Sequence, residues 1–419
     1  MSTPLLLLVE SNTTGTGRQF AQRARGLGTE PVLLSADPAR YPYAAEDGLR
    51  TVVVDTADDE ALRAAVTTLA AGAPVAGVLS SSEYYVATAA GLARRLGLPG
   101  PSADAVRACR DKALQRRTLT EAGVPVPRFS VAGSVAEAIA AAQWLGGPVV
   151  VKPVQGSGSL GVRLCRDRDE VAEHAGSLLA ATVNERGLTT PGVVLVEQYL
   201  TGREFSVEVF GEDVVTTVAK HVGAPPVFVE TGHDVPAVLP AERSASLVDS
   251  AVHAVKALGL GWGAAHVELR LDGDVARVIE VNPRLAGGMI PELVRRALGV
   301  DLVGAQVRAA LGAPVDLTGT PDAVGAASIR FLTAGDDSVL THVVTAESAA
   351  RAVPGVVDAS FYRPAGTPVA PAEDFRGRVG HVIAAGTDPG ETAEVAGTAL
   401  TLGLATALVP AAARAAVPA

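Results

Sequence analysis

Cysteine is nearly absent: Cys109 and Cys165 are the only two in 419 residues. Neither sits in a motif, which excludes a disulfide framework and a thiolate zinc site. Aromatic residues make up only 4% of the chain and lysines are few. With abundant Ala, Gly and Val, this reflects a GC-rich coding bias and says nothing about substrate. No long basic run occurs, and 35 basic against 45 acidic groups give a formal charge of −10. Nucleic acid is therefore not an expected partner. Long apolar runs are missing too. The stretch Leu5 to Val9 is far too short to span a membrane and lacks the basic start of a signal peptide. The expectation is a cytoplasmic protein with no membrane partner.

What is present supports a folded enzyme. Apolar residues make up 48% and charged residues 19%, enough for a sizeable core, and 419 residues fit two or three structural units. Over residues 1–110, apolar runs alternate with helical stretches. "LLLLVE", "PVLLSA", "TVVVDT" and "VAGVLS" read as strands, and 16–27, 58–71 and 82–97 as helices. That alternation predicts a parallel α/β domain. The turn Asn12 to Gly17, "NTTGTG", lacks full GxGxxG spacing and reads as a tight strand–helix turn. Two Ala-rich segments, "AAVTTLAAGAPVAGVL" and "LTLGLATALVPAAARAAV", are broken by Gly and Pro and read as core helices and a strand.

A second unit, 111–320, clusters its strands and helices as two α+β sub-domains, the first at about 125–200. Residues 321–419 read as a small α+β closing region with no obvious chemistry.

"KPVQGSGSLGV" places Lys152 at a strand end, followed by Gly156, Gly158 and Gly161. Little side-chain bulk lets backbone N–H groups approach phosphate oxygens. It is not a Walker A loop, because the lysine precedes the glycines. A lysine ending a buried strand needs an anion. Lys112 and Lys220 are further phosphate candidates.

The segment "AAHVELRLDGDVARVIEVN" reads as a hairpin turning near Asp272-Gly273. A two-residue turn there would put the two apolar sets on opposite faces. A three-residue loop with Gly273 left-handed puts Val267, Leu269, Leu271, Val275, Ile279 and Val281 on one face. Arg277 then falls on that apolar side, near an edge. The same register gathers Glu268, Glu280 and Asn282 on the other face. Two carboxylates and an amide facing each other repel unless a cation sits between them, and an all-oxygen set suits Mg²⁺. Arg284, just past Pro283, is placed to hold a transferring phosphoryl group or an oxyanion.

Taken together, these motifs resemble the ATP-grasp superfamily, and within it the L-amino acid ligases that make dipeptides. The resemblance covers roughly residues 1–320, with five separated motifs in order. It implies ATP and Mg²⁺ as cofactors, with two ions expected and Mn²⁺ as an alternative. "VEQYLTGREFSVEV" resembles the hinge strand that binds adenine, through Gln198, Tyr199 and Leu200. Glu197 helps fix that hinge, and Glu204 holds the ribose. Lys112 and Lys152 match the two nucleotide lysines, and Lys220 a third that contacts phosphate. Gln155 to Val162, including Gly156, Ser157, Gly158 and Ser159, matches the lid over the phosphates. Glu268, Glu280 and Asn282 match the metal ligands, and Arg284 the catalytic arginine.

"PPVFVETGHDVPAVLP" is similar to a pattern in dipeptide-forming ligases, which places Glu230 and His233 near amino-acid substrates. Glu83, in "SSSEYY", resembles an acid that meets a substrate amino group. Arg284, Gly287 and Gly288 complete the substrate set. His233 is the candidate base for the attacking amine, with phosphate or an intermediate as the alternative. The resemblance implies joining of two amino acids at the cost of ATP, with a homodimer compatible. Other ATP-grasp substrates (a γ-glutamyl donor, carboxylase-like or purine-type) and a non-catalytic nucleotide binder stay open.

Overall fold

The computed structural model describes residues 2–12 and 16–411. The middle of the "NTTGTG" turn and the Ala-rich tail from 412 lie outside the described residues.

Strands β1 (Leu5–Val9), β2 (Glu30–Ser35), β3 (Arg50–Val53) and β4 (Val75–Leu79) form a parallel sheet in the order β3-β2-β1-β4. All of β1 is buried, which is why its sequence is an unbroken apolar run rather than an alternating one.

A second sheet, order β5-β8-β6-β7, consists of β5 (Phe129–Ala132), β6 (Val149–Pro153), β7 (Arg163–Cys165) and β8 (Val194–Gln198). Helices Val135–Leu145 and Arg168–Ala180 cover it. Ser134 and Asp167 cap their N-termini.

The third sheet carries the site. It uses β9 (Glu204–Phe210), β10 (Asp213–Val222), β11 (Glu230–Val235), β12 (Ala264–Asp272), β13 (Val275–Asn282) and β14 (Ala326–Thr333). A small sheet holds β15 (Ser338–Leu340), β17 (Pro368–Val369) and β19 (Leu408–Pro410). The large sheet is completed by β16 (Val356–Phe361) and β18 (Arg378–Gly386), in the order β13-β12-β9-β10-β11-β14-β18-β16. Strands from the C-terminal third thus extend the sheet that begins at the hairpin.

Strand β9 shows why this sheet has a working face. Its residues alternate Glu204, Ser206, Glu208 with Phe205, Val207, Val209. All are buried. The apolar set packs on helix Ala241–Ala257 through Leu247, Ala251 and Ala254. The polar set therefore faces the opposite side. Cross-strand pairing continues that polar row: Glu208 opposite His266, Ser206 opposite Glu268, Glu204 opposite both Arg270 and Lys220, and Lys220 opposite His233.

The hairpin corrects one expectation and meets another. Asp272 pairs with Val275, so the turn is a tight two-residue one over Gly273 and Asp274, with Gly273 at φ 64°. The odd residue lies inside the strand instead. The register steps between Leu269, opposite Val278, and Glu268, opposite Glu280. Ile279 is the extra residue of this bulge. It restores the register that a looser turn was expected to supply. Val275 and Ile279 consequently leave the apolar face: Val275 is exposed and Ile279 lines the cleft. Arg277 leaves it as well. It stands opposite Arg270 on the cleft side and binds Asp272 at 2.8 Å. "FVETGHDV" runs into a strand. Residues 230–235 are a strand paired on both sides.

Candidate active site

A cleft of about 1270 Å³ lies over the polar face of the large sheet, under the second sheet. Most residues singled out from the sequence line it; Lys112, and Gln155, Gly156 and Gly161 of the glycine loop, do not. Lys112 Nζ donates to the Gly156 carbonyl at 2.8 Å and pairs with Glu280 at 3.1 Å.

The chain has four lysines, and three of them hold this cleft together. Lys152 pairs with Glu197 at 2.5 Å. Glu197 is shared with Arg116, which is fully buried and binds it at 2.6 Å. A second Arg116 nitrogen donates to the carbonyl of Ile279, the bulge residue. One guanidinium therefore fixes both the hinge acid and the bulge that orients Glu280. Sequence reading missed Arg116 because its helix looks like an ordinary amphipathic one. Burial lowers the pKa of Lys152 although Glu197 pulls the other way.

Lys220 sits among three carboxylates: Glu204 at 2.9 Å, Glu230 at 2.8 Å and Glu268 at 3.0 Å. Burial works against its charge, but the acids override it and raise its pKa well above the ordinary value. Burial likewise opposes the charge on Glu268, and Lys220 and His266 nonetheless hold its pKa well below the usual range. His266 lies between Glu208 (2.8 Å) and Glu268 (3.1 Å). Burial would lower its pKa, but these two acids raise it to about 9. His266 and Glu208 were not anticipated. The alternation "HVELR" was legible, but nothing marked its first member as part of the site. Arg270 fixes the hinge by donating to Glu204 at 2.8 Å and to the Leu200 carbonyl at 2.9 Å. Gln198 and Tyr199 continue that hinge, with Tyr199 beside Phe228 at a ring separation of 6.1 Å.

In the glycine loop, Ser157 Oγ lies 3.4 Å from an Arg284 nitrogen, and Ser159 donates to the Phe228 carbonyl at 2.9 Å. Gly158, at φ +68°, has no room for a side chain, because a Cβ there would strike the Phe375 ring. Arg284 donates to Glu83, and burial of that guanidinium is outweighed by the acid, so its pKa is raised. Gly287 and Gly288 follow. A Cβ on Gly288 would collide with the His233 ring.

His233 does not suit the base role expected of it. It is fully buried, and neither ring nitrogen has a hydrogen-bond partner. Burial lowers its pKa to about 3 despite Glu230 nearby. An imidazole of such low basicity is a poor acceptor for an ammonium proton.

The C-terminal region, read as chemically silent, reaches the cleft. Arg378 binds Glu230 at 2.6 Å and lies 4.1 Å over the Phe331 ring. His381 joins Tyr362 at 2.9 Å and Asp358 at 3.2 Å. No periodicity links these residues to a site, since only the strand order brings them there.

Among the described residues, no three carboxylate, imidazole or thiolate groups converge into a ready-made metal cage. Mg²⁺ does not require one, since it is bound through one or two carboxylates with phosphates and water. The Asn282 amide tests the fit. Turned over, its nitrogen donates to Glu83 at 3.1 Å and Glu280 at 3.2 Å. In the other orientation its oxygen meets only oxygens, a convergence that a hard cation would stabilise. With Glu268 directly opposite Glu280, the donor set fits Mg²⁺.

Three family models match the chain: the ATP-grasp N-terminal domain over 21–100, the ATP-grasp domain over 145–292, and the L-amino acid ligase C-terminal domain 2 over 330–402. A D-alanine–D-alanine ligase of Pseudomonas fluorescens is 30% identical over 249 residues, 56% of this chain and 73% of that one. The chain belongs to the ATP-grasp carboxylate–amine ligases. Enzymes of this family use ATP and, in general, Mg²⁺. This ATP-grasp ligase is also 39% identical to the uncharacterized protein y4rH of Sinorhizobium fredii, over 90% of its own length and 78% of that protein. It is 30% identical to carnosine synthase 1 of Gallus gallus over 73% of its length, but spans only 35% of that longer protein. Among solved structures, the L-amino acid ligase from Bacillus licheniformis superposes with a TM-score of 0.77 at 22% identity, covering 96% of this chain and 98% of that one. That likeness concerns the fold. No helix among the described residues is long and apolar enough to cross a membrane.

Proposed function

We propose that this ligase joins two amino acids. The carboxylate of the first attacks the γ-phosphate of ATP, forming an acyl phosphate and releasing ADP. The amine of the second then attacks the acyl carbon, and phosphate leaves. The observation that carries this reading is the Glu83–Arg284 pair beside Asn282. A carboxylate and a guanidinium side by side present complementary charges to an α-ammonium and an α-carboxylate, so they suit a zwitterionic donor. The named relatives that couple amino acids support the choice.

Glu268, Glu280 and Asn282 would hold Mg²⁺, which when bound neutralises phosphate charge. Lys152, Lys220 and the glycine loop then face the phosphates, while Gln198 to Leu200 and Glu204 meet the nucleoside. Lys220 would exchange part of its carboxylate contacts for phosphate. Arg284 would meet the developing oxyanion, a contact of about 3–4 kcal/mol in barrier terms. Because His233 is buried and only weakly basic, the amine would reach the site already deprotonated or give its proton to the departing phosphate. As an ATP-consuming enzyme it would work in the cytoplasm.

The test is phosphate release across pairs of amino acids with Mg²⁺ and ATP. Release that needs two amino acids, with a dipeptide in the products, is expected. Release needing bicarbonate or a phosphorylated amine instead would overturn the reading. Glu280→Ala is expected to lose ADP formation even at saturating substrate; native turnover in that variant would sink the metal assignment.

A further inference from the structure

Eight arginines line the cleft. Six are neutralised by a carboxylate: Arg18 by Asp47, Arg40 by Asp37, Arg270 by Glu204, Arg284 by Glu83, Arg376 by Asp374 and Arg378 by Glu230. Among the described residues, Arg186 and Arg363 have no carboxylate partner. Both are half-buried. A guanidinium drawn partly out of water without an anion is an unmet demand.

Both line the same cleft, and a chain of neighbours links them. Arg363 donates to the Arg376 carbonyl at 2.8 Å. Arg376 is held charged by Asp374, with Glu185 and Glu373 adding to it, so the Glu185–Arg186 loop lies close by. Arg186 lies 5.7 Å over the Tyr84 ring, and the Tyr84 hydroxyl donates to Glu185. Tyr84 directly follows Glu83, the partner of Arg284. Three separate stretches of chain therefore meet one residue away from the proposed donor site.

We infer that Arg186 and Arg363 bind the carboxylate of the second, amine-donating substrate. This rests on the two-amino-acid reading above. The inner cations are committed: the lysines to carboxylates and phosphates, Arg284 to the acyl group. An acceptor with its amine turned inward to the acyl carbon carries its own carboxylate outward, where the two unmatched guanidiniums wait. The acceptor is thereby an amino acid with a free carboxylate, and simple amines and amino-acid amides are poor substitutes.

Steady-state phosphate release, at saturating ATP and donor, compares the proteinogenic amino acids as acceptors with their carboxamides. The wild-type enzyme is expected to show a KM about tenfold lower for the acid than for the amide. Arg363→Gln and Arg186→Gln are each expected to raise the KM for the acid by about tenfold, while the KM for the carboxamide and for ATP stays put. Arg363→Lys should recover part of the loss, because it keeps the charge. Equal use of acid and carboxamide by the wild type would overturn the inference. So would variants that raise both acceptor KM values alike, since the arginines would then only shape the cleft. Absence of acceptor-dependent release with every amino-acid pair would instead remove the ligase reading and this subsite with it. Intact release that ignores the carboxylate removes the subsite alone.

Discussion

Arg116 shows how much a single side chain can govern here. It is fully buried and hydrogen-bonds to Glu197, Gln115 and the Ile279 carbonyl. Replacing it by leucine leaves Glu197 with Lys152 alone. Breaking a buried pair in this way typically costs about 3–5 kcal/mol. Urea denaturation of Arg116→Leu should show a loss of that size, with Arg116→Lys intermediate. His233 gives the fold a pH dependence. The unfolded chain protonates it near pH 6.5, whereas burial delays this to about 3 in the folded protein. Through that window the unfolded state binds the extra proton, so stability falls as pH falls, by about 1.4 kcal/mol per unit. Between about pH 6.5 and about pH 5, wild-type protein should lose about 2 kcal/mol more than His233→Asn. Equal losses in the two proteins would mean that the imidazole is protonated in the fold.

At the scale of elements, the bulge at Ile279 decides where the site points. Beyond it, Glu280 and Asn282 face the cleft; without it, they would turn to the apolar side packed on helix Ala241–Ala257. Deleting Ile279 should therefore abolish nucleotide turnover and destabilise the sheet. An isolated Ile279→Ala change should keep the ladder and retain turnover. The comparison of the two variants separates register from side chain. Gly202 guards the neighbouring junction: a Cβ there would run into the Leu271 carbonyl. Gly202→Ala is expected to cost about 1–3 kcal/mol in stability as the hinge and hairpin part.

This scale also shows what the sequence could reveal. That Glu268, Glu280 and Asn282 share a face followed from alternation and parity. Where the odd residue sat did not follow, because a bulge at the turn and one inside the strand satisfy the same parity. The polar row of β9 and β12 was readable as period-two pattern. Arg378, Tyr362 and His381 were not, because their place depends on β18 pairing with β14 across a long sequence separation. Arg116 stayed hidden for another reason: a helical arginine looks solvated until its burial is known.

Across the whole molecule, the cleft is roofed by pieces that are far apart in the chain. Tyr84 from the N-terminal region holds Glu185 of the second sheet's long loop, and Phe375 fills the space that Gly158 leaves. Tyr84→Phe should release that loop without touching the core, so limited proteolysis should cut within 184–188 faster than in the wild type. Saturating ATP and Mg²⁺ should restore part of the protection. An unchanged cleavage rate would mean the loop is held by Arg186 rather than by the hydroxyl.

The shortage of lysine has a practical side. Lys112, Lys152 and Lys220 are buried within the ion pairs of the cleft, while Lys256 is exposed on the helix that covers the sheet's opposite face. Apart from the chain's amino terminus, an amine-reactive dye therefore has one accessible target in the native protein, remote from the reaction. A fluorophore installed there would ride on the scaffold, and labelling at any of the other three would itself report that the cleft had opened.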